Sequence, residues 1–166
     1  MKLFTSLSKR EQLLITFAVV AILSRLIPHV PNFTAVTATA LFAGRFFERK
    51  ALAYALPLAV MVISDVILGF YTISLFVYAS FAAVVLIGQL SGKMNVVSVL
   101  VSSLVFFVLS NFGVWVLAYP KTIEGFVACY TAALPFLRAS VLGDLFYAAV
   151  LYYGFVFAER RLLLRA

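Results

Sequence analysis

The sequence predicts an all-α membrane protein of six transmembrane helices, with both termini on the cytoplasmic side. Three observations carry that expectation. First, 65% of the 166 residues are hydrophobic and only 11% are charged, whereas a soluble domain is about half apolar and about a quarter charged. Folded chains of this size expose more surface than so few charges cover, and so apolar a composition excludes disorder. Second, the apolar residues form continuous stretches near the ~20 residues that cross a bilayer. Third, the 13 Lys and Arg lie almost wholly between or beside those stretches.

The first span covers residues 13–28, after Lys9, Arg10 and Glu11. Arg25 interrupts it and no small-x-small cleavage site follows, so it reads as a helix rather than a signal peptide. The second, residues 32–47, is the weakest. Its uncharged part, Phe33 to Gly44, covers only about 18 Å at 1.5 Å per residue, and it is rich in small side chains: Ala35, Ala38, Ala40, Ala43 and Gly44. Residues 51–68, 73–90 and 96–117 are comfortable spans. The stretch from Thr122 to Ala158 is too long for one straight crossing, and Pro135 with Arg138 divides it. The expectation there is a half-helix over 123–137, a broken region around Pro135, and a last span over 139–157. The whole chain, 1–166, forms a single transmembrane domain without linkers.

Charge sets the crossing number. Six crossings from a cytoplasmic N-terminus put Lys2, Lys9, Arg10, Arg45, Arg49, Lys50, Lys93, Arg160, Arg161 and Arg165 inside and only Lys121 in an outer loop. A re-entrant second segment, or a lone crossing by 123–137, breaks this positive-inside bias. The net charge of +7 therefore labels membrane topology, with both termini cytoplasmic, and does not indicate nucleic acid.

Ionisable residues inside spans are expensive and tend to mark function. In this topology they gather toward the outer face. Arg25 ends the first helix, with His29 and Asn32 in the loop beyond it. Asp65 ends the third helix, Asn111 and Trp115 lie in the outer part of the fifth, and Tyr119 follows. Arg138 and Asp144 open the last. These nine residues are the candidate ligand-binding set, with the arginines facing an anionic group, the aspartates orienting them or accepting donors, and Trp115 or Tyr119 stacking on a flat ligand. A structural ion network and an interfacial aromatic belt are the plainer readings. Cys129 is a packed small hydrophobe, with neither disulfide nor metal role expected, and no cofactor is implied. No nucleophile–base arrangement, zinc motif or phosphate-binding loop occurs, so no enzyme is expected. Ala79 and Ala83, at four-residue spacing on the fourth helix, are candidate partner-docking positions, since small residues let helices approach closely in lipid.

The stretches RLIPHVPNFTAVTATALFAG from Arg25, SNFGVWV from Ser110 and YPKTIEGFVACYTAALPFLRASVLGDLFYAAVLYYGF from Tyr119 resemble a bacterial family of small membrane proteins of unknown function, from about Leu13 to Glu159. The layout is also similar to the substrate-binding S components of energy-coupling-factor (ECF) vitamin transporters, six-helix proteins that work on a transmembrane subunit with ATPases. That resemblance implies capture of a small vitamin-like or other organic solute from the outer face. Their Ala-x-x-x-Ala docking patch on the first helix is missing here, where Ala18 and Ala21 are followed four residues on by Ile22 and Arg25. The alternative expectation is a non-catalytic structural or assembly subunit of a larger membrane complex.

Overall fold

The computed structural model describes residues 7–23 and 32–162. Within them the chain forms six helices: α1 (Lys9–Leu23), α2 (Val36–Phe46), α3 (Lys50–Leu68), α4 (Ser74–Ser91), α5 (Val96–Ala118) and α6 (Ile123–Leu162). Four of them, α3 to α6, are long and apolar enough to cross a bilayer. The described lengths of α1 and α2, 15 and 11 residues, rise only about 22 and about 16 Å, short of a hydrocarbon core of about 30 Å. Residues 24–28 of the expected first span lie outside the described residues.

Local chemistry explains the helix starts and stops. Ahead of α1, the Ser8 amide donates to Glu11 Oε2 at 2.9 Å and the Glu11 amide to Ser8 Oγ at 3.1 Å, a reciprocal pair that satisfies amides left over at a helix start. Asn95 and Ser98 repeat this device at α5. Gly92, at φ 59°, ends α4 in the left-handed conformation that costs glycine least. At the end of α5 the Lys121 ammonium donates to the carbonyls of Trp115 and Tyr119, at 2.9 and 2.8 Å.

The weakest apolar segment of the sequence is the centre of the bundle. Every residue of α2 from Val36 to Gly44 is buried, and α2 packs against all five other helices. Its small side chains permit this. A Cβ on Gly44 would lie 2.1 Å from the Val85 carbonyl oxygen, and one on Gly88 would lie 2.5 Å from the Leu41 carbonyl oxygen. The backbones of α2 and α4 therefore touch at a glycine-on-glycine crossing. The small-residue spacing on α2 serves internal packing. Around the crossing, Leu41, Phe42, Val84, Val85, Leu151 and Phe155 form the apolar centre.

The last region departs from expectation. α6 runs unbroken for 40 residues with Pro135 inside it. A proline removes one amide and crowds the preceding turn, yet apolar helices in lipid tolerate it, because freed groups are satisfied by local adjustment. There is thus no separate half-helix over 123–137 and no new helix at 139. At 1.5 Å per residue α6 is about 60 Å long. α5 runs antiparallel along it. Trp115 meets Phe126, and Tyr130 donates to the Val108 carbonyl at 2.7 Å. Further along, Ser103 meets Asp144.

The helices share one basic end. There Arg10 reaches Glu159 at 2.7 Å and the Phe46 carbonyl at 3.1 Å, while Arg49 reaches Glu11 at 2.9 Å. Arg45, Lys93, Asn95 and Tyr152 lie together at the same end. Large apolar side chains such as Ile63, Leu75, Leu90, Leu104 and Leu142 stay exposed on the outer faces of α3 to α6, which suits a surrounding of lipid.

Candidate functional site

Two carboxylates are buried in the apolar bundle. Asp144 on α6 is 2% exposed and Asp65 on α3 is 4% exposed. Three helices meet at Asp144. Ser103 of α5 donates its hydroxyl to Asp144 Oδ2 at 2.6 Å, and Thr37, in the first turn of α2, lies beside the carboxylate. The start of α2 is held there by close approach, since a Cβ on Gly143 would meet Phe33 Cα at 3.1 Å and the Thr34 amide nitrogen at 3.2 Å. Phe33 packs on Phe146 and Tyr147. A helix N-terminus carries partial positive charge, which favours a carboxylate beside its first turn.

Asp144 lies deeper than the sequence suggests. It is eight residues before Tyr152, which adjoins Asn95 at the basic end, so it sits about 12 Å into the bundle from that level. Because α6 is continuous, Asp144 is near mid-depth and not at the opening of a last helix. Asp65 is fifteen residues along α3 from Lys50, about 22 Å from the basic end. Tyr78 of α4 donates its phenol hydroxyl to Asp65 Oδ2 at 2.6 Å. Ser64 beside it is buried and donates to the Met61 carbonyl at 2.9 Å. The two carboxylates thus occupy successive depths, on helices that both pack against α2.

The other candidates divide. Arg25 and His29 lie outside the described residues. Asn32 is exposed, in a turn at φ 63°. Asn111 is half-buried and spends an amide hydrogen on the Phe107 carbonyl of its own helix, at 2.8 Å. Trp115 donates its indole N–H to the Pro120 carbonyl at 3.0 Å, and the Tyr119 carbonyl accepts from Lys121. These two residues, with Lys121 over the indole ring at 5.9 Å, tie the α5–α6 turn together. Arg138 is exposed on α6 beside Leu137, Val141 and Leu142 and forms no ion pair among the described residues. An Arg138–Asp144 pair is therefore not made, since six residues along a helix turn the two side chains to different faces. Cys129 is buried against the Asn111 carbonyl, 3.6 Å from its Sγ. Ala79 is exposed on α4, while Ala83 is half-buried. Among the described residues no three His, Cys, Asp or Glu side chains come together as a metal site.

Sequence reading missed Ser103 and Tyr78, which hydrogen-bond the two carboxylates. Hydroxyls in apolar helices ordinarily bond back to their own backbone, as Thr39 does to the Ala35 carbonyl at 2.7 Å, so their type alone gave no signal. Next to Ser103, Ser102 is 1% exposed and its hydroxyl has no partner.

Residues 5–165 match a family described as "Family of unknown function (DUF6580)". No curated protein and no solved structure matches the chain.

Proposed function

The chain belongs to DUF6580, a family of unknown function, and on that footing we propose that it is a non-catalytic membrane protein that captures a small organic solute, vitamin-like in size, on aspartates buried in its bundle. One observation carries this reading. Asp144 is 2% exposed at mid-depth and is held by the Ser103 hydroxyl of α5, with no basic side chain of the described residues bonded to it. An aspartate at the centre of a membrane helix costs about 2.5–3.5 kcal/mol. Hydroxyl–hydroxyl contacts brace helices without that cost, so a carboxylate at this place supports a role in receiving donor groups.

In this proposal the basic end faces the cytoplasm of a bacterial inner membrane, by the positive-inside bias. The described residues of α1 and α2 pack together on that side, and the direction of α3 to α6 is the one that six crossings would give. The solute arrives from the opposite face, reaching Asp65 first and Asp144 below it. Arg25 and His29 belong to the chain between α1 and α2 and remain proposed contacts. Arg138 drops out of the set because it is exposed and turned away from Asp144. An energising transmembrane subunit with ATPases is the proposed partner.

A second reading, a structural or assembly subunit of a larger complex, is favoured by the hydrogen bonds that already occupy both carboxylates and by the exposed Leu75, Ala79, Leu86 and Leu90 along α4. Solvent extraction of the purified protein followed by mass spectrometry separates the two. Capture predicts a defined solute that disappears from a folded Asp144→Asn variant. A protein that carries no solute from any host, and co-purifies instead with a membrane partner lost on Ala79→Leu, refutes capture.

A further inference from the structure

At the basic end, away from the two aspartates, two adjoining clefts share Met94, Asn95 and Tyr152. The larger, of about 400 Å³, runs between the start of α5 and α6 over Val96, Val99, Leu145 and Ala148. The smaller, of about 310 Å³, opens beside Arg45 and Lys93. Together they make one groove with cations at its mouth and an apolar trough beneath. The trough reaches from Tyr152 to Leu145, about 10 Å along α6.

The charges at this mouth differ from their neighbours. Arg10 pairs with Glu159 and Glu48, and Arg49 pairs with Glu11. Among the described residues Arg45 and Lys93 have no carboxylate partner. Arg45 instead rests its guanidinium over the Phe46 ring at 5.3 Å, which fixes it near the groove. Tyr152 packs on the same Phe46 ring at 6.1 Å and so lines both clefts at the junction of the polar and apolar parts. The positive end of α5, capped by Asn95, adds to the field there.

We propose that this groove binds one anionic phospholipid of the adjacent leaflet, its phosphate between Arg45 and Lys93 and an acyl chain along the trough over Val99 and Ala148. Charge complementarity selects the occupant. Two unpaired cations call for an anion, the trough calls for a chain attached to it, and basic clefts between membrane helices recognise anionic headgroups in this manner. A neutral lipid leaves the cations unmatched, and a soluble anion leaves the trough unfilled. The inference does not rest on solute capture, because it uses neither aspartate.

The test is native mass spectrometry of the delipidated full chain in detergent, with phosphatidylglycerol and phosphatidylcholine of identical chains added in competition. The wild type retains phosphatidylglycerol preferentially, on the order of 25-fold, from about fivefold for each of two basic residues. Arg45→Gln with Lys93→Gln abolishes that preference and leaves phosphatidylcholine binding unchanged, whereas Arg160→Gln with Arg161→Gln, at the same end but outside the groove, preserves it. Ala149→Trp, on the exposed wall of the trough, weakens both lipids. Thermal melts of the unliganded variants confirm that each is folded. The proposal is overturned if the preference survives Arg45→Gln with Lys93→Gln, or if it falls equally in the Arg160/Arg161 pair. It is also overturned if excess glycerol 3-phosphate displaces the lipid and Ala149→Trp has no effect, which makes the site one for soluble anions.

Discussion

Gly44→Ala probes the glycine crossing that places α2 at the centre of the bundle. The added methyl carbon lands 2.1 Å from the Val85 carbonyl oxygen, 2.9 Å from the Val85 carbonyl carbon and 3.1 Å from Gly88 Cα. Carbon–oxygen contacts of this kind settle at about 3.3–3.6 Å, so the helices must part by roughly 1 Å. Every one of those atoms is backbone, and no rotamer change relieves the clash. Overpacking of this sort costs about 1–3 kcal/mol, and the upper half of that range applies because α2 also carries the contacts to every other helix. Alanine's better helix propensity returns about 0.8–1 kcal/mol. The net loss is about 1–2 kcal/mol, equivalent to a fall in Tm of roughly 2–8 °C for a chain of this size. Thermal unfolding in a mild detergent reads it. Gly154→Ala is the control, since its methyl meets only Phe17 Cε1 at 2.8 Å, the far end of a side chain that can swing, and it leaves Tm unchanged or slightly raised. If Gly44→Ala melts at or above the wild-type temperature while Gly154→Ala is neutral, the α2–α4 contact is not made as described.

Three further substitutions test separate parts of the fold. Pro135→Ala raises Tm, because alanine restores an amide within a continuous helix and is up to about 3 kcal/mol better than proline there; a fall in Tm indicates a required break. Tyr78→Phe removes one donor to Asp65 and lowers stability by about 1 kcal/mol, the usual net worth of a hydrogen bond, in denaturant or thermal unfolding; no change refutes the bond. Glu11 has its carboxyl pKa lowered from 4.5, chiefly by the Ser8 backbone N–H it accepts, with the Ser8 hydroxyl and Arg49 adding to the effect. A lowered folded value contributes stability that is complete above the unfolded value and is lost as pH falls through the folded one. Glu11→Gln therefore melts below the wild type at neutral pH, and the gap closes as the pH is lowered through and below 4.5; a gap that persists in acid contradicts the assignment.

Continuous apolar runs made α3, α4 and α5 legible in the sequence. The expected spans 51–68, 73–90 and 96–117 match Lys50–Leu68, Ser74–Ser91 and Val96–Ala118 to within one residue at each end. What hydropathy could not convey was centrality. α2 is weak on that measure because Ala38, Ala40, Ala43 and Gly44 are small, and they are small because five helices close around them. Pro135 misled for a related reason. Rules drawn from helices in water end a helix at proline, whereas an apolar helix in lipid has no better alternative than to continue.

The site was legible in part. Asp65 and Asp144 stood out as costly residues in apolar runs, and both are buried. The depth of Asp144 depended on where α6 begins, so the expected break moved it toward the far end. Its partners were beyond reach, because Ser103 lies 41 residues away along the chain and only the packing of α5 on α6 brings it close. Arg138 looked like a counter-ion by proximity in sequence, but helical rotation carries it to the exposed face. Trp115, a candidate stacking residue, donates its indole N–H within the α5–α6 turn.

The central claim is that a solute is held through Asp144. Native mass spectrometry of the wild type and of Asp144→Asn, purified from the same host in the same detergent and matched for thermal stability, tests it most directly. Capture predicts a bound mass on the wild-type chain that is absent from the variant. An identical spectrum for both proteins, or a wild type bare of any solute, contradicts it.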